Sequence, residues 1–469
     1  MNAGVKPMLA NSLIEMDRDH LVHSVLPPRL HERRGVNVLQ SGKGAYLTDM
    51  QGHTLLDGFS GLWCVNAGYG QESIVRAAAE QMLRLPYATT YFHYGSEPAI
   101  RLAGRLAELA PPGLEHVFFT LGGSDAVDST LRFIKTYWAA RGEPGRRHIV
   151  SLEKGYHGSS NSGASVTALP VFHRGLDPAP TQHYIPSPDP YRSLHQGAEA
   201  IIAASIQSLR DVVASVAPYQ VAAFFCEPIQ GSGGVLVPPD GWLRAMREEC
   251  RSQGILFVAD EVITGFGRTG PMFACEHDGI SPDFMTLAKG LTSGYVPMGA
   301  VMMADSVYQV IADADGGGVP LGHGLTYSAH PVSAAVGLEA LRLYTDEGLL
   351  ENGQRMGALL QSELRSRFTD HKLVGDVRGR GMLAALELVA DKDAKTPIPA
   401  ALGVSDLLTQ AGYGAGLIFR AFADGVIGLA PPLCCTEDDI GLLLDRLQTT
   451  LDGAAAAIGD GTPHRGGHP

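Results

Sequence analysis

Between residues 115 and 304 the chain repeats one pattern: a short apolar run, a turn, then a segment with helical spacing. The runs are Val117–Phe119, His148–Leu152, Val221–Cys226, Ile255–Ala259, Phe284–Ala288 and Gly299–Ala304. The segment after the first run places Val127, Leu131, Ile134 and Trp138 on one helical face. Strands that are apolar along their length, rather than alternating, are buried on both faces. With helical segments between them, they predict a mostly parallel sheet covered by helices on both sides.

The flanks carry weaker patterns. Leu21, Val22 and Val25 are spaced to line a short helix that Pro27-Pro28 would stop. Val36 to Asp57 alternates around two glycine turns and predicts a small antiparallel meander. Ile74–Leu85 and Pro98–Leu109 have amphipathic helical spacing, and a long helix is expected over Ser333–Asp346. A smaller α+β unit follows to about residue 455. The expected organisation is an arm and part of a small domain over 1–70, and a large domain over 71–330. The rest of the small domain then spans 331–458, with a disordered polar tail over 459–469.

A net charge of -13 argues against nucleic acid and anionic membrane surfaces as partners. Six cysteines include no Cys-x-x-Cys pair, and several lie in apolar runs, which suits a reduced, cytoplasmic protein. No apolar stretch reaches membrane-spanning length and no secretory signal pattern is evident, so a soluble protein is expected. No residue grouping calls for a metal.

In an open parallel sheet, ligands collect at the carboxyl ends of the strands, so the residues after each run matter most. Gly122-Gly123-Ser124 opens a helix after the first run: either an anion seat of free N–H groups or a plain N-cap. Gly155-Tyr156-His157-Gly158 follows the second run, Glu227-Pro228-Ile229-Gln230-Gly231 the third, and Asp260-Glu261-Val262 the fourth. The fifth ends in Lys289, one of only eight lysines, with Gly290 beside it. Lys289 is either a snorkelling strand-end lysine or an amine whose charged form is disfavoured by burial, hence a nucleophile. Pyridoxal phosphate needs this whole set. A lysine forms its Schiff base, an anion seat takes its phosphate and an aromatic ring stacks on it. A carboxylate, here Asp260 unless that acid is structural, keeps its ring nitrogen protonated.

At these residues, and at Gly61-Leu62-Trp63, Gly265-Phe266-Gly267-Arg268-Thr269-Gly270, Thr326-Tyr327-Ser328 and Ala430-Pro431-Pro432, the chain resembles the class III pyridoxal-phosphate aminotransferases of fold type I. The resemblance runs from about residue 20 to 450. It implies an α/β fold with a mostly parallel seven-stranded sheet between helices, plus a smaller α+β domain drawn from both chain ends. It also implies that Lys289 and Asp260 are catalytic. Gly123 and Ser124 would hold the phosphate, Tyr156 and Val262 would sandwich the ring, and His157 and Glu227 would complete the cofactor site. Thr326 would reach the phosphate of a neighbouring subunit in a homodimer, possibly a tetramer, with shared active sites. Gly122 departs from the serine common there.

Within the family the chain is most similar to the ω-transaminases, which exchange amino groups between amines or ω-amino acids and pyruvate. Trp63, Tyr91, Tyr156 and Arg420 match substrate-pocket positions. Members that use 2-oxoglutarate commonly carry an arginine two residues before the Ala-Pro-Pro turn. Here that position is Gly428, and Arg420 is the nearby arginine, which suits pyruvate. The amine donor stays open among β-alanine, taurine, diamines, 4-aminobutyrate and aryl-alkyl amines. An aminomutase or a decarboxylase on the same fold is the nearer alternative. A nicotinamide oxidoreductase is the remote one: Gly265–Gly270 satisfies G-x-G-x-x-G, but Val262-Ile263-Thr264 stands between it and the strand end at Ala259, and Pro271 closes it where a helix should open.

Overall fold

The structure is a computed structural model that describes residues 10–217, 219–318 and 321–459. All six apolar runs form strands of one seven-stranded sheet. Its order is Leu114–Thr120, Gly299–Ala304, Phe284–Leu287, Leu256–Asp260, Val221–Cys226, His148–Leu152, Gln182–Ile185. Gly299–Ala304 runs antiparallel to both of its neighbours, and the other pairs are parallel. The seventh strand, Gln182–Ile185, has no apolar run to announce it. It lies at the sheet edge, and only Ile185 of its four residues is fully buried.

Both faces of the sheet are closed, as continuous apolar runs require. Phe225, Val258, Phe284 and Val301 pack under the helix Gly123–Ala140, through Val127, Leu131, Ile134 and Trp138. Phe224 and Phe257 point to the other face and meet Trp242 and Met246 of the helix Trp242–Ser252. The period-two alternation of a strand thus splits Phe224 from Phe225 between two separate cores.

The chain ends share a sheet. Leu39–Lys43, Tyr46–Asp49 and Thr54–Asp57 form the antiparallel meander, and Leu417–Ile418 pairs parallel with its last strand. A further antiparallel sheet contains Val374–Arg380, Leu383–Asp391, Val426–Leu429 and Arg420–Ala421. Leu360, Leu364 and Phe368 of the helix Leu349–Phe368 join its buried face in the main core. The expected long helix is Pro331–Thr345, with proline in its first turn.

The N-terminal arm differs from expectation. The helix there is Ala10–His20, and Leu21, Val22 and Val25 lie beyond it, all exposed. Pro28 begins a second helix, Pro28–Arg34, instead of ending the first, because a proline at the first helical position loses no hydrogen bond. At the other end the helix Glu437–Gly459 occupies the start of the expected tail, and 460–469 lie outside the described residues. Among the described residues no helix is long and apolar enough to cross a membrane, and the six cysteines are free.

The G-x-G-x-x-G segment wraps a turn, with Gly267 at φ +80°, and no helix opens from it. Its centre is Arg268, fully buried. One guanidinium nitrogen donates to the carbonyls of Met382 and Pro431 at 3.2 and 2.6 Å. The other donates to Ser60 Oγ and Asn66 Oδ1 at 3.2 and 2.7 Å. Burial pulls its pKa down to about 10, so it remains a cation near neutrality. Three separate stretches of chain, 60–66, Met382 and Pro431, therefore meet on one side chain. Arg268→Met leaves those four acceptors without donors in a dry core and should cost on the order of 3–5 kcal/mol, visible as a lowered urea midpoint. A midpoint matching that of the parent protein would show that other contacts hold these stretches together.

Candidate active site

The carboxyl ends of the strands open onto a cavity of about 930 Å³. Gly123, Ser124, Tyr156, His157, Glu227, Asp260, Val262 and Lys289 all line it, and so do Trp63 and Arg420. The first eight of these are brought to one rim because each follows, or ends, a strand of the large sheet, whereas Trp63 and Arg420 come from the chain ends.

Lys289 follows the strand Phe284–Leu287 in a left-handed conformation, φ +45°, that a lysine rarely adopts. The turn is held from behind: Tyr344 donates to the carbonyl of Gly290 at 2.7 Å, and a Cβ at Gly290 would lie 2.7 Å from Asn66 Nδ2. Lys289 is half-buried and open toward the cavity. Desolvation pulls its pKa below the usual lysine value, while the Asp260 and Glu227 carboxylates oppose that shift. Its Nζ stands 5.9 Å from the centre of the Trp63 ring. The result is an amine that gives up its proton more readily than an exposed lysine does, suited to nucleophilic and proton-transfer work.

Asp260 is the last residue of the strand Leu256–Asp260 and is buried. Its Oδ2 lies 2.8 Å from His157 Nδ1, and its Oδ1 accepts the Val262 N–H at 3.1 Å. Burial would lower the His157 pKa, but the Asp260 hydrogen bond and charge outweigh it and raise the pKa. The other ring nitrogen of His157 is buried without a partner. Sequence reading placed His157 in the site but missed this brace on Asp260. Glu227 is buried and accepts two backbone N–H groups at 2.9 Å, from Tyr156 and Gly231. Burial raises its pKa to about 7, against the lowering effect of His157 and those two bonds.

The anion seat is the start of the helix Gly123–Ala140. A Cβ at Gly123 would sit 3.1 Å from Val262, so glycine permits the close approach of helix and ring-facing valine. Ser124 Oγ accepts the Ser159 N–H at 3.2 Å. A Cβ at Gly122 would meet nothing within 4 Å, so the missing serine there leaves room and removes only a hydroxyl. Free N–H groups at the positive end of a helix dipole, an amine, an anchored carboxylate, and Tyr156 with Val262 around one cavity fit pyridoxal phosphate.

On the substrate side, Trp63 ends a strained turn with Ser60, Gly61 and Trp63 all at positive φ. Asp57, unnoticed in the sequence, ties that turn down by accepting the N–H groups of Phe59 and Gly61 at 3.0 and 2.7 Å. Trp63 packs on Phe59 and Phe422. Arg420 has its guanidinium 5.1 Å from the Phe422 ring and, among the described residues, no carboxylate partner. Although its side chain is exposed to the cavity, the surrounding protein desolvates it enough to lower its pKa. It sits cross-strand from Gly428, and a Cβ at Gly428 would come within 3.0 Å of the Phe422 ring.

Two expected residues are not in this cavity. Tyr91 and Thr326 are exposed and lie together elsewhere on the chain: Tyr91 covers Gly324, and Tyr87 donates to the Thr326 carbonyl at 2.9 Å. The loop that carries Thr326 does meet its own sheet, where Ser328 Oγ donates to the Phe119 carbonyl at 2.7 Å, but neither Thr326 nor Tyr91 lines this cavity.

Comparison with known proteins agrees with this geometry. The family model described as aminotransferase class-III matches residues 31–451. The putrescine–pyruvate aminotransferase of Pseudomonas aeruginosa is 38% identical over 98% of this chain and 100% of its own. The diaminobutyrate–2-oxoglutarate transaminase of Halomonas elongata is 36% identical over 95% of this chain and 97% of its own. The structure of the ω-transaminase from Pseudomonas jessenii in complex with PMP superposes with a TM-score of 0.93 at 36% identity, covering 96% of this chain and 100% of that one.

The Glu227 shift has a measurable consequence. Its native pKa, about 7, lies above the reference 4.5, so the folded state holds more protons between those values and loses stability as pH rises through them. Glu227→Gln removes that loss. Its thermal midpoint relative to the parent should rise from about pH 5 to about pH 7 and level off above. A pH-independent difference would contradict the assignment.

Proposed function

The chain belongs to the class-III aminotransferases, and from that premise we propose that it moves an amino group from an amine or ω-amino acid to pyruvate, giving alanine, through Lys289. Pyridoxal phosphate is the family's cofactor, and when bound it supplies a conjugated ring that takes up electrons as the donor carbon loses its proton. Lys289 Nζ, its pKa lowered, takes that proton and returns it. Asp260, oriented by His157 Nδ1 and the Val262 N–H, would hold the ring nitrogen's proton. Gly123 and Ser124 would bind the phosphate, and Tyr156 and Val262 would flank the ring. Glu227 keeps Tyr156 in place through its backbone N–H.

The observation that carries the acceptor is Arg420, a cavity arginine without a carboxylate partner, facing a glycine at 428. Of the other cavity cations, Lys154 already lies 3.7 Å from Asp189. One unengaged guanidinium suits an acceptor with one carboxylate, and Phe422 fills the space that a second arginine at 428 would need. A 2-oxoglutarate acceptor, as in the Halomonas elongata relative's name, would leave its second carboxylate unpaired.

We further propose a homodimer in which Tyr91 and Thr326 serve the neighbouring subunit's cavity. They lie among exposed aromatics, including Phe92 at 82%, Tyr94 at 69% and Tyr327 at 58%, which favours a covered face.

A panel of amines with pyruvate or 2-oxoglutarate, scored by alanine or glutamate formed, tests the proposal. Pyruvate should dominate; equal use of 2-oxoglutarate, or turnover without any keto acid as an aminomutase or decarboxylase would show, would overturn it. Arg420→Ala should weaken the pyruvate half-reaction by on the order of 2–5 kcal/mol and spare the half-reaction with a carboxylate-free amine. Stopped-flow absorbance separates the two, and equal damage to both would remove Arg420 from acceptor binding.

A further inference from the structure

Beyond the active site, three side chains in the N-terminal arm converge: Asp17 in the helix Ala10–His20, His23 in the connection after it, and His31 in the helix Pro28–Arg34. One ligand atom from each lies within 4.8 Å of the others. His23 Nε2 is 2.7 Å from Asp17 Oδ1, and the two histidine ring centres are 4.3 Å apart.

The contact between Asp17 and His31 is the informative one. His31 Nε2 and Asp17 Oδ2 stand 3.1 Å apart, yet neither has a hydrogen-bond partner, so the pair has the distance of a hydrogen bond without its geometry. His31 is 5% exposed, and both of its ring nitrogens are buried and unsatisfied. A buried polar pair left in this state is costly. A separation near 3 Å between two atoms not bonded to each other is also what two ligands of one small cation show. Metal–ligand distances of about 2.0–2.1 Å in a tetrahedron put neighbouring ligands roughly 3.3 Å apart.

We propose that Asp17, His23 and His31 form a binding site for a divalent transition cation of the zinc type. Two imidazoles and a carboxylate suit Zn²⁺ or Co²⁺ better than the all-oxygen preference of Mg²⁺ or Ca²⁺. His23, the most accessible of the three at 27% side-chain exposure, leaves a side from which the ion can enter and a water can complete its sphere. The site has a structural role. The three residues after His23, namely Ser24, Val25 and Leu26, line the active-site cavity, and Val25 is held at φ +59°. A cation that ties helix to connection to helix pins this strap where it borders the cavity.

Holoenzyme treated with a chelator and then dialysed against Zn²⁺ should take up about one tightly held ion per chain. Co²⁺ should give ligand-field absorption at longer wavelengths than the cofactor. Asp17→Asn and the partly exposed His23→Gln should each weaken Zn²⁺ binding at least about tenfold, since even partners behind direct ligands cost that much. Bound Zn²⁺ should also slow tryptic cleavage after the exposed Arg29 in the parent and not in the variants. Absence of Zn²⁺ uptake, equal uptake by parent and both variants, or an Arg29 unprotected in the Zn²⁺-loaded parent would overturn the proposal.

Discussion

A strand buried on both faces can end in a charge only if something at that end meets it, because an unpaired ion in a dry interior is costly. Three strands of the large sheet end this way. Asp260 is met by His157 and the Val262 N–H, and Glu227 by the N–H groups of Tyr156 and Gly231. Among the described residues Lys289 has no such bond; it is eased by the field of those two carboxylates and by the nearby Trp63 ring. The cavity is thus one electrostatic unit. The carboxylates limit how far burial lowers the lysine, while burial of Glu227 raises it toward the protonated form and reduces the negative charge to be balanced.

Backbone strain sits where that unit is open. Lys289 at φ +45° and the Ser60–Trp63 turn hold conformations that cost free energy for non-glycine residues. Each is held by buried polar contacts on the side away from the cavity: Asp57 under the turn, Tyr344 behind Gly290. Arg268 adds a further tie from below, since it donates to Ser60 at the start of the strained turn and to Asn66, whose amide in turn donates to the Phe266 carbonyl. The glycine-rich motif thus works as a structural clasp. Its glycines allow the arginine to be enclosed by two backbone carbonyls, the Ser60 hydroxyl and the Asn66 amide oxygen.

The walls facing substrate are made differently from the floor. Trp63, Phe422 and the stem of Arg420 come from the chain ends, from strands and turns of the smaller sheets. The strap Ser24–Leu26 comes from the arm. The floor is rigid because it terminates a closed sheet. The walls rest on short elements, the Ser60–Trp63 turn and the strand Arg420–Ala421, packed in an apolar cluster with Phe59, Phe422 and Val426, so specificity can vary there without disturbing the chemistry.

Local pattern was enough for much of this. Six strands were legible because each is a continuous apolar run, and the site residues were legible because they immediately follow those runs. Lys289, Asp260, Glu227 and the Gly123–Ser124 helix start needed only the rule that parallel strands present ligands at their carboxyl ends. The edge strand Gln182–Ile185 was not legible, since an edge needs little burial and leaves no apolar signature. Leu21, Val22 and Val25 had helical spacing but no core to bury it, and the arm folded around its prolines instead. What the sequence by itself determined was the layered fold and the set of chemical groups on its rim, because both follow from the order of neighbouring residues. Only the tertiary structure decided that His157 braces Asp260 across 103 residues, that Arg268 ties three distant stretches to its own turn, that Tyr91 and Thr326 lie outside the cavity lining, and that Asp17, His23 and His31 meet. Those contacts depend on how distant segments stack, and a side chain's period along the chain carries no information about which distant partner it will touch.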